Sequence, residues 1–368
     1  MKLNRIGTTA AVAVMASLAL AACGDDNPTG TDTSAAGDSG TSLSGTLKGS
    51  GASSQESAMT AWIAGYQGVQ PDVTVQYDSV GSGAGRENLI AGAVDFAGSD
   101  AALDEEERQA VTETCGPDGA MNIPVYISPV AVPFNVEGVD ELNLSPDTLA
   151  QIFDLKITNW NDPAIAEDNP DATLPDLKIT AVNRSDESGT TENFMEYLSA
   201  AAPDSWSYEA DKAWPVSGGE AAAQTTGVIE VVGSTNGAIG YADASAVGSL
   251  NAAKIGVGDE FVAFSPEAAA KVVDASELSP SDVNGDLAID LARDTTESGA
   301  YPIVLVSYHI VCHTYADQNM VDMVKDFEGY VISEEGQQTA AEAAGSAPIS
   351  PDLRAKAEES LQLITVGS

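Results

Sequence analysis

The chain has 368 residues, 43% of them hydrophobic, and a formal charge of −41 at pH 7 from 56 acidic and 15 basic side chains. That balance excludes nucleic acid as a partner, since phosphate backbones need clustered Lys and Arg, and it argues against an electrostatic grip on anionic lipid. The acids are spread along the chain as a solvated surface, and the length exceeds what one core organises, so two lobes are expected.

Lys2 and Arg5 precede an apolar run from Ile6 to Ala22 that ends in small residues, so residues 1–22 read as a secretory signal. The ending Leu20-Ala21-Ala22-Cys23-Gly24 resembles the bacterial lipobox. That resemblance implies cleavage before Cys23, lipid on that residue, and anchoring at the extracytoplasmic face of the cell membrane. Loss of Lys2 and Arg5 would take the charge from −41 to −43. Residues 24–44 are Gly, Ser, Thr, Asp, Asn and Ala with almost nothing apolar. With Cys23 they are expected to form a flexible tether, reaching on the order of 25 Å. Cys115 and Cys312 then remain as an even pair. Outside the cytoplasm they can form a disulfide or stay as two buried thiols, and spacing alone does not decide.

The ordered part begins with a short strand at 43–49. A helix follows, marked by Met59, Trp62, Ile63 and Tyr66, and then a strand at 73–77. Leu89, Ile90, Ala93 and Val94 mark a second helix, and 94–98 leads into another strand. This alternation predicts an α/β fold with largely parallel sheets. The long apolar run 126–134 reads as a crossover between lobes. Leu149, Ile152 and Phe153 sit on a helix, and strand 177–182 delivers Arg184. A second long apolar strand, 303–311, reads as the return crossover, and 320–363 is mostly helical by pattern. The expected division is lobe I at 45–131 and 305–368, with lobe II at 132–304 as an insertion.

Three loops share one character. Gly49–Ser54, Gly81–Gly85 and Arg184–Thr190 each follow a strand, carry Gly and hydroxyl residues, and open a helix. A helix N-terminus offers unpaired N–H groups and a partial positive charge, which suits an anion. In open α/β sheets ligands bind beyond the carboxyl ends of strands, where all three loops lie. Taken singly, each loop also fits a plain helix cap, and Ser53 with Glu56 fits a capping box. Arg184 adds a planar fork that can donate two parallel hydrogen bonds. Asp100, after the next strand, is an acceptor only when ionised. It would welcome a proton-bearing anion such as hydrogen phosphate and repel sulfate.

With Gly51-Ala52-Ser53, Gly81-Ser82-Gly83, Val94–Asp100, Lys156–Asp162, Asn183-Arg184 through Ser188-Gly189-Thr190, and Gly237–Tyr241 on view, the chain resembles the phosphate-binding proteins of bacterial ABC phosphate importers over most of 45–365. The resemblance implies a two-lobed, hinged periplasmic-binding-protein-like (type II) fold, each lobe a mostly parallel sheet flanked by helices. It implies that Ser53, Ser82, Asp100, Arg184, Ser188, Gly189 and Thr190 contact inorganic phosphate, with Ser54 contributing its backbone N–H and Asp186 holding Arg184. It also implies delivery to transmembrane permease subunits, no cofactor and no metal, and we read the chain as a monomer. Two departures stand out: Ser53-Ser54 replaces the family's common Thr-Phe pair, and Glu187 replaces a frequent Gly.

Two other classes compete. A secreted phosphatase needs a nucleophile with a base or a set of metal ligands. The two histidines, His309 and His313, lie in a strand-like run without the Glu of a His-Glu-x-x-His helix, and structural roles are expected for both. A binding protein for another oxyanion, such as sulfate, molybdate or arsenate, is the nearer alternative, and Asp100 weighs against a fully ionised ligand.

Overall fold

The computed structural model describes residues 43–367. The signal segment, Cys23 and nearly all of the tether lie outside the described residues. Leu43, at the end of the stretch read as tether, is already buried in the core, and the Ser44 carbonyl accepts from Asn319.

Two sheets position the site. Their strands are β1 (Gly45–Gly51), β2 (Val73–Ser79), β3 (Phe96–Ser99), β4 (Ala120–Ala131), β5 (Pro133–Asn135), β6 (Thr180–Arg184), β7 (Glu220–Ala222), β8 (Ala238–Gly240), β9 (Ala242–Asp243), β10 (Asn251–Ala252) and β11 (Val304–Cys312). The six-stranded sheet of lobe I runs β9-β4-β11-β3-β1-β2, and the five-stranded sheet of lobe II runs β10-β5-β8-β6-β7. β1 is parallel to β2 and β3, and β6 is parallel to β7 and β8. β11 opposes β3 and β4 in lobe I, and β5 opposes β8 and β10 in lobe II, so each sheet is mixed. β4 and β11 are buried along their whole length, which accounts for their unbroken apolar runs.

The passage between lobes uses two antiparallel segments. β4 continues through Val132 into β5, and β8 returns through Tyr241 into β9. Ala242 faces Ala131 and Ile239 faces Phe134 along this ribbon. Ala242–Asp243 touch β4 at a point the sequence does not announce, and the chain then rejoins the lobe II sheet at β10 (Asn251–Ala252) before it reaches β11. Two residues are too few to carry a periodic signal.

Two other differences are local. The helix expected through Val94 is Ser82–Ile90, and the chain turns before β3. Asp104 caps the next helix, Glu105–Cys115, in a full capping box with Glu107, which leaves Asp100 without a cap role. Cys115 ends that helix and is joined by a disulfide to Cys312 at the end of β11, with Cα atoms 4.7 Å apart across 197 residues of sequence. The tail folds as helices Gln318–Ile332, Glu334–Ala344 and Pro351–Gln362. In lobe I, His309 stacks on Phe327 and meets Glu328 Oε2 at 2.7 Å, both side chains fully buried. In lobe II, Phe194 stacks on Tyr241 with centroids 4.5 Å apart. The Tyr241 hydroxyl accepts from Arg184 N and shares a proton with Thr191 Oγ1. The interlobe ribbon is thereby tied to the Arg184 loop.

Candidate anion-binding site

Lobe I supplies three strand ends. β1 runs into a 3-10 turn, Ser53–Gln55, ahead of the helix Glu56–Val69. β2 leads to Gly81, which takes φ 99° ahead of the Ser82–Ile90 helix. A side chain at Gly81 would be strained at that φ, and its Cβ would meet the Glu187 carbonyl at 2.7 Å and Asp186 Oδ2 at 2.8 Å. β3 ends at Ser99, and Asp100 follows. Lobe II supplies Arg184 at the end of β6 and the helix Gly189–Ala201. Ser188 caps that helix by accepting from Thr191 N at 3.3 Å, which leaves its own proton free to donate.

Asp100 is the hub of the site. Its Oδ1 accepts from Ser54 Oγ at 2.7 Å and Ser307 Oγ at 2.8 Å. Its Oδ2 accepts from Ser54 Oγ at 2.6 Å and Thr190 Oγ1 at 3.0 Å. Asp100 N donates to Ser82 Oγ at 3.2 Å. Gln55 Nε2 orients Ser307 from 2.8 Å. Burial pushes the Asp100 carboxyl above its ordinary pKa, against the pull of the three hydroxyls and Arg184. Gly189 comes so close that an added Cβ would lie 2.8 Å from Ser82 Oγ and 2.9 Å from Asp100 Cβ.

Arg184 is buried and bound two-pronged by Asp186, Nε to Oδ1 at 2.9 Å and Nη2 to Oδ2 at 2.5 Å. Asp186 also accepts from Gln224 N at 2.9 Å. Burial works to raise the Asp186 pKa, but the Arg184 bonds and charge outweigh it and hold the carboxyl low. Ser53 does not form the capping box with Glu56. Its Oγ accepts instead from Thr225 N at 3.1 Å and lies 3.0 Å from Thr225 Oγ1, at the start of the Gln224–Ser234 helix.

Glu187 has a partner that its position in sequence does not reveal. Its Oε2 lies 3.3 Å from Lys212 Nζ, and Lys212 also meets Glu107 Oε1 at 3.1 Å. Glu107 Oε2 lies 2.9 Å from Arg86 Nε, and Arg86 reaches Glu192 at 3.8 Å. Five charges thus alternate in sign across the lobe boundary.

Ser54, Ser82, Gly189 and Thr190 all gather on Asp100. Ser53, Arg184, Asp186 and Ser188 sit on the loops around them. Sequence reading missed Ser307, Gln55 and Thr225, which act from 172 or more residues away from their partners, and Lys212, which lies well outside the loop that carries Glu187; none lies in a motif. His313 Nε2 meets the Asn284 carbonyl at 2.9 Å and does not pair with His309. Among the described residues no group of three His, Cys, Asp or Glu side chains is arranged to hold a metal.

Residues 36–335 match the PBP superfamily domain. Phosphate-binding protein PstS 3 of Mycobacterium tuberculosis (strain ATCC 25618 / H37Rv) is 39% identical over 339 residues, covering 89% of this chain and 90% of that protein. Its PstS 2 is 34% identical over 379 residues, covering 99% and 100%. The chain belongs to the PstS family of phosphate-binding proteins. Solved structures agree on the fold. A high-affinity periplasmic phosphate-binding protein bound with phosphate (PfluDING) aligns with TM-score 0.71 at 21% identity, over 86% of this chain and 93% of that one. A phosphate-binding protein from Stenotrophomonas maltophilia aligns with TM-score 0.65 at 21% identity, over 86% and 94%.

Proposed function

We propose that this PstS-family chain captures inorganic phosphate between its lobes, outside the cytoplasm, and delivers it to an ABC importer permease, without covalent chemistry. The observation that carries the reading is Asp100: a buried carboxylate, already fed by three hydroxyls, set between the starts of helices from both lobes. An acceptor at the centre of an anion site favours a ligand that still bears a proton. Ser53, Ser54, Ser82, Arg184, Ser188, Gly189 and Thr190 complete the donor set. Asp186 neutralises Arg184, so the anion is met largely by hydroxyls and helix-start N–H groups. Each lobe holds part of the site, so ligand favours the closed state. The relatives' names support a binding protein over a hydrolase. Lipid on Cys23 would keep the monomer at the membrane, and among the described residues no helix is long and apolar enough to cross one. Calorimetry with phosphate, arsenate and sulfate tests the assignment. Tight sulfate binding, or none to phosphate, would overturn it.

A further inference from the structure

We propose that Asn193 and Arg293 form a latch between the lobes that sets the rate of ligand release. Asn193 lies one turn into the Gly189–Ala201 helix of lobe II. Its Nδ2 donates to the Asp100 carbonyl at 2.6 Å and to the Gly189 carbonyl at 2.8 Å. Its Oδ1 accepts from Arg293 Nη2. Arg293 is fixed to lobe I, where Nη1 donates to the carbonyl of Val304, the first residue of β11, at 2.9 Å. From there Nη2 also reaches Glu196 Oε2 at 2.5 Å, one turn further along the same helix. Asn193 and Arg293 are 4% and 6% exposed, so the Asn193 bonds are buried in the closed form, while the Glu196 side chain is open to solvent.

The arrangement couples closure to the ligand-facing groups. The amide of Asn193 is fully used: both N–H directions and its oxygen have partners. One partner is the main chain of Asp100, and another is Gly189, whose helix start faces the anion. Parting the lobes breaks the bonds to Asp100 and Arg293 together. Neither side chain is among the donors assigned to the anion, so the latch distinguishes open from closed and not one anion from another. A group that favours only the closed state slows dissociation more than it speeds association. Arg293 and Asn193 also line a cleft of about 830 Å³ beside Glu196, Trp206 and Tyr208. Water can therefore reach the latch and solvate its groups when it opens.

The latch rests on the phosphate reading only for the identity of the ligand. The test is release of radiolabelled phosphate from the full chain, chased with unlabelled phosphate, alongside the association rate. Asn193→Ala should speed release at least tenfold and change association less than threefold. Arg293→Met should act in the same direction, and the double variant should fall short of the product of the two, since Arg293 acts through Asn193. Asn193→Asp keeps an acceptor for Arg293 but loses the donor to Asp100, and it should release as fast as Asn193→Ala. Wild-type release in Asn193→Ala, or a slow Asn193→Asp, would overturn the latch. Small-angle scattering of the ligand-free chain gives a second reading. Asn193→Ala should widen the mean lobe separation, and an unchanged profile counts against the latch even if the wild type binds another anion. Failure of the wild type to bind phosphate at all would instead remove the functional reading.

Discussion

An ionised carboxylate has four acceptor directions, and at Asp100 three protons occupy them, from Ser307, Thr190 and a Ser54 hydroxyl that faces both oxygens, so one more proton can be taken. In the function proposed above, a ligand proton would fill that place and a ligand lone pair would be repelled from it. Asp100→Asn should therefore weaken phosphate and strengthen sulfate relative to it, changing the ratio of the two affinities by at least tenfold in calorimetry. Equal losses for both anions would refute the role. Gly189 tests closure in the same place. A methyl group there would stand 2.8 Å from Ser82 Oγ and 3.0 Å from Ala101 N, across the lobe boundary. Gly189→Ala should keep its melting temperature within a few degrees and lose phosphate affinity by a hundredfold or more. A variant that binds as the wild type does would show that the lobes need not approach this closely.

The Gly189–Ala201 helix is held on one flank by Asn193 and Arg293 and on the other by the chain of charges from Arg86 to Glu187. Lys212 is the only cation between Glu107 and Glu187 in that chain. Lys212→Met should leave Glu187 unpaired against Gly83 and cost about 1 kcal/mol of binding, a three- to tenfold loss of phosphate affinity. Glu187→Gln in the same background should restore part of it; a Lys212→Met variant of undiminished affinity would mean the chain of charges is surface decoration. The elements around this helix were largely legible. β1, β2, β4, β6 and β11 announce themselves as apolar or alternating runs, and the three loops announce themselves as Gly and hydroxyl clusters after strands. The partners were not. Ser307 reaches Asp100 across 207 residues and Thr225 reaches Ser53 across 172. Each is an ordinary polar residue on its own element, and only the tertiary fold gives it a task. The partner of Glu187 is hidden for the same reason, because Lys212 belongs to a loop without periodic signal.

Across the whole molecule, charge sets the response to pH and salt. Burial raises the Glu192 pKa to about 7 despite Arg86, and burial raises that of Asp243 to about 6. The folded chain holds these protons more tightly than the unfolded one. Their stabilisation is thus full below the unfolded carboxyl range and is lost as pH rises through 6 and 7. Glu192→Gln should flatten the stability profile between pH 5 and 8 by on the order of 2 kcal/mol in denaturant titrations; a profile parallel to the wild type would place that proton elsewhere. Salt acts on the same excess of acid. A chain of formal charge −41 repels itself and repels phosphate at long range. Raising salt from about 0.01 M to 1 M shortens the Debye length from about 30 Å to about 3 Å. Thermal stability should climb over that range. The association rate of phosphate, followed by stopped flow, should climb with it, the reverse of a protein that steers its anion with a positive field. A rate that fell with salt would mean that the donors of the site outweigh the acidic surface at a distance, and that Arg184 is felt beyond its pairing with Asp186.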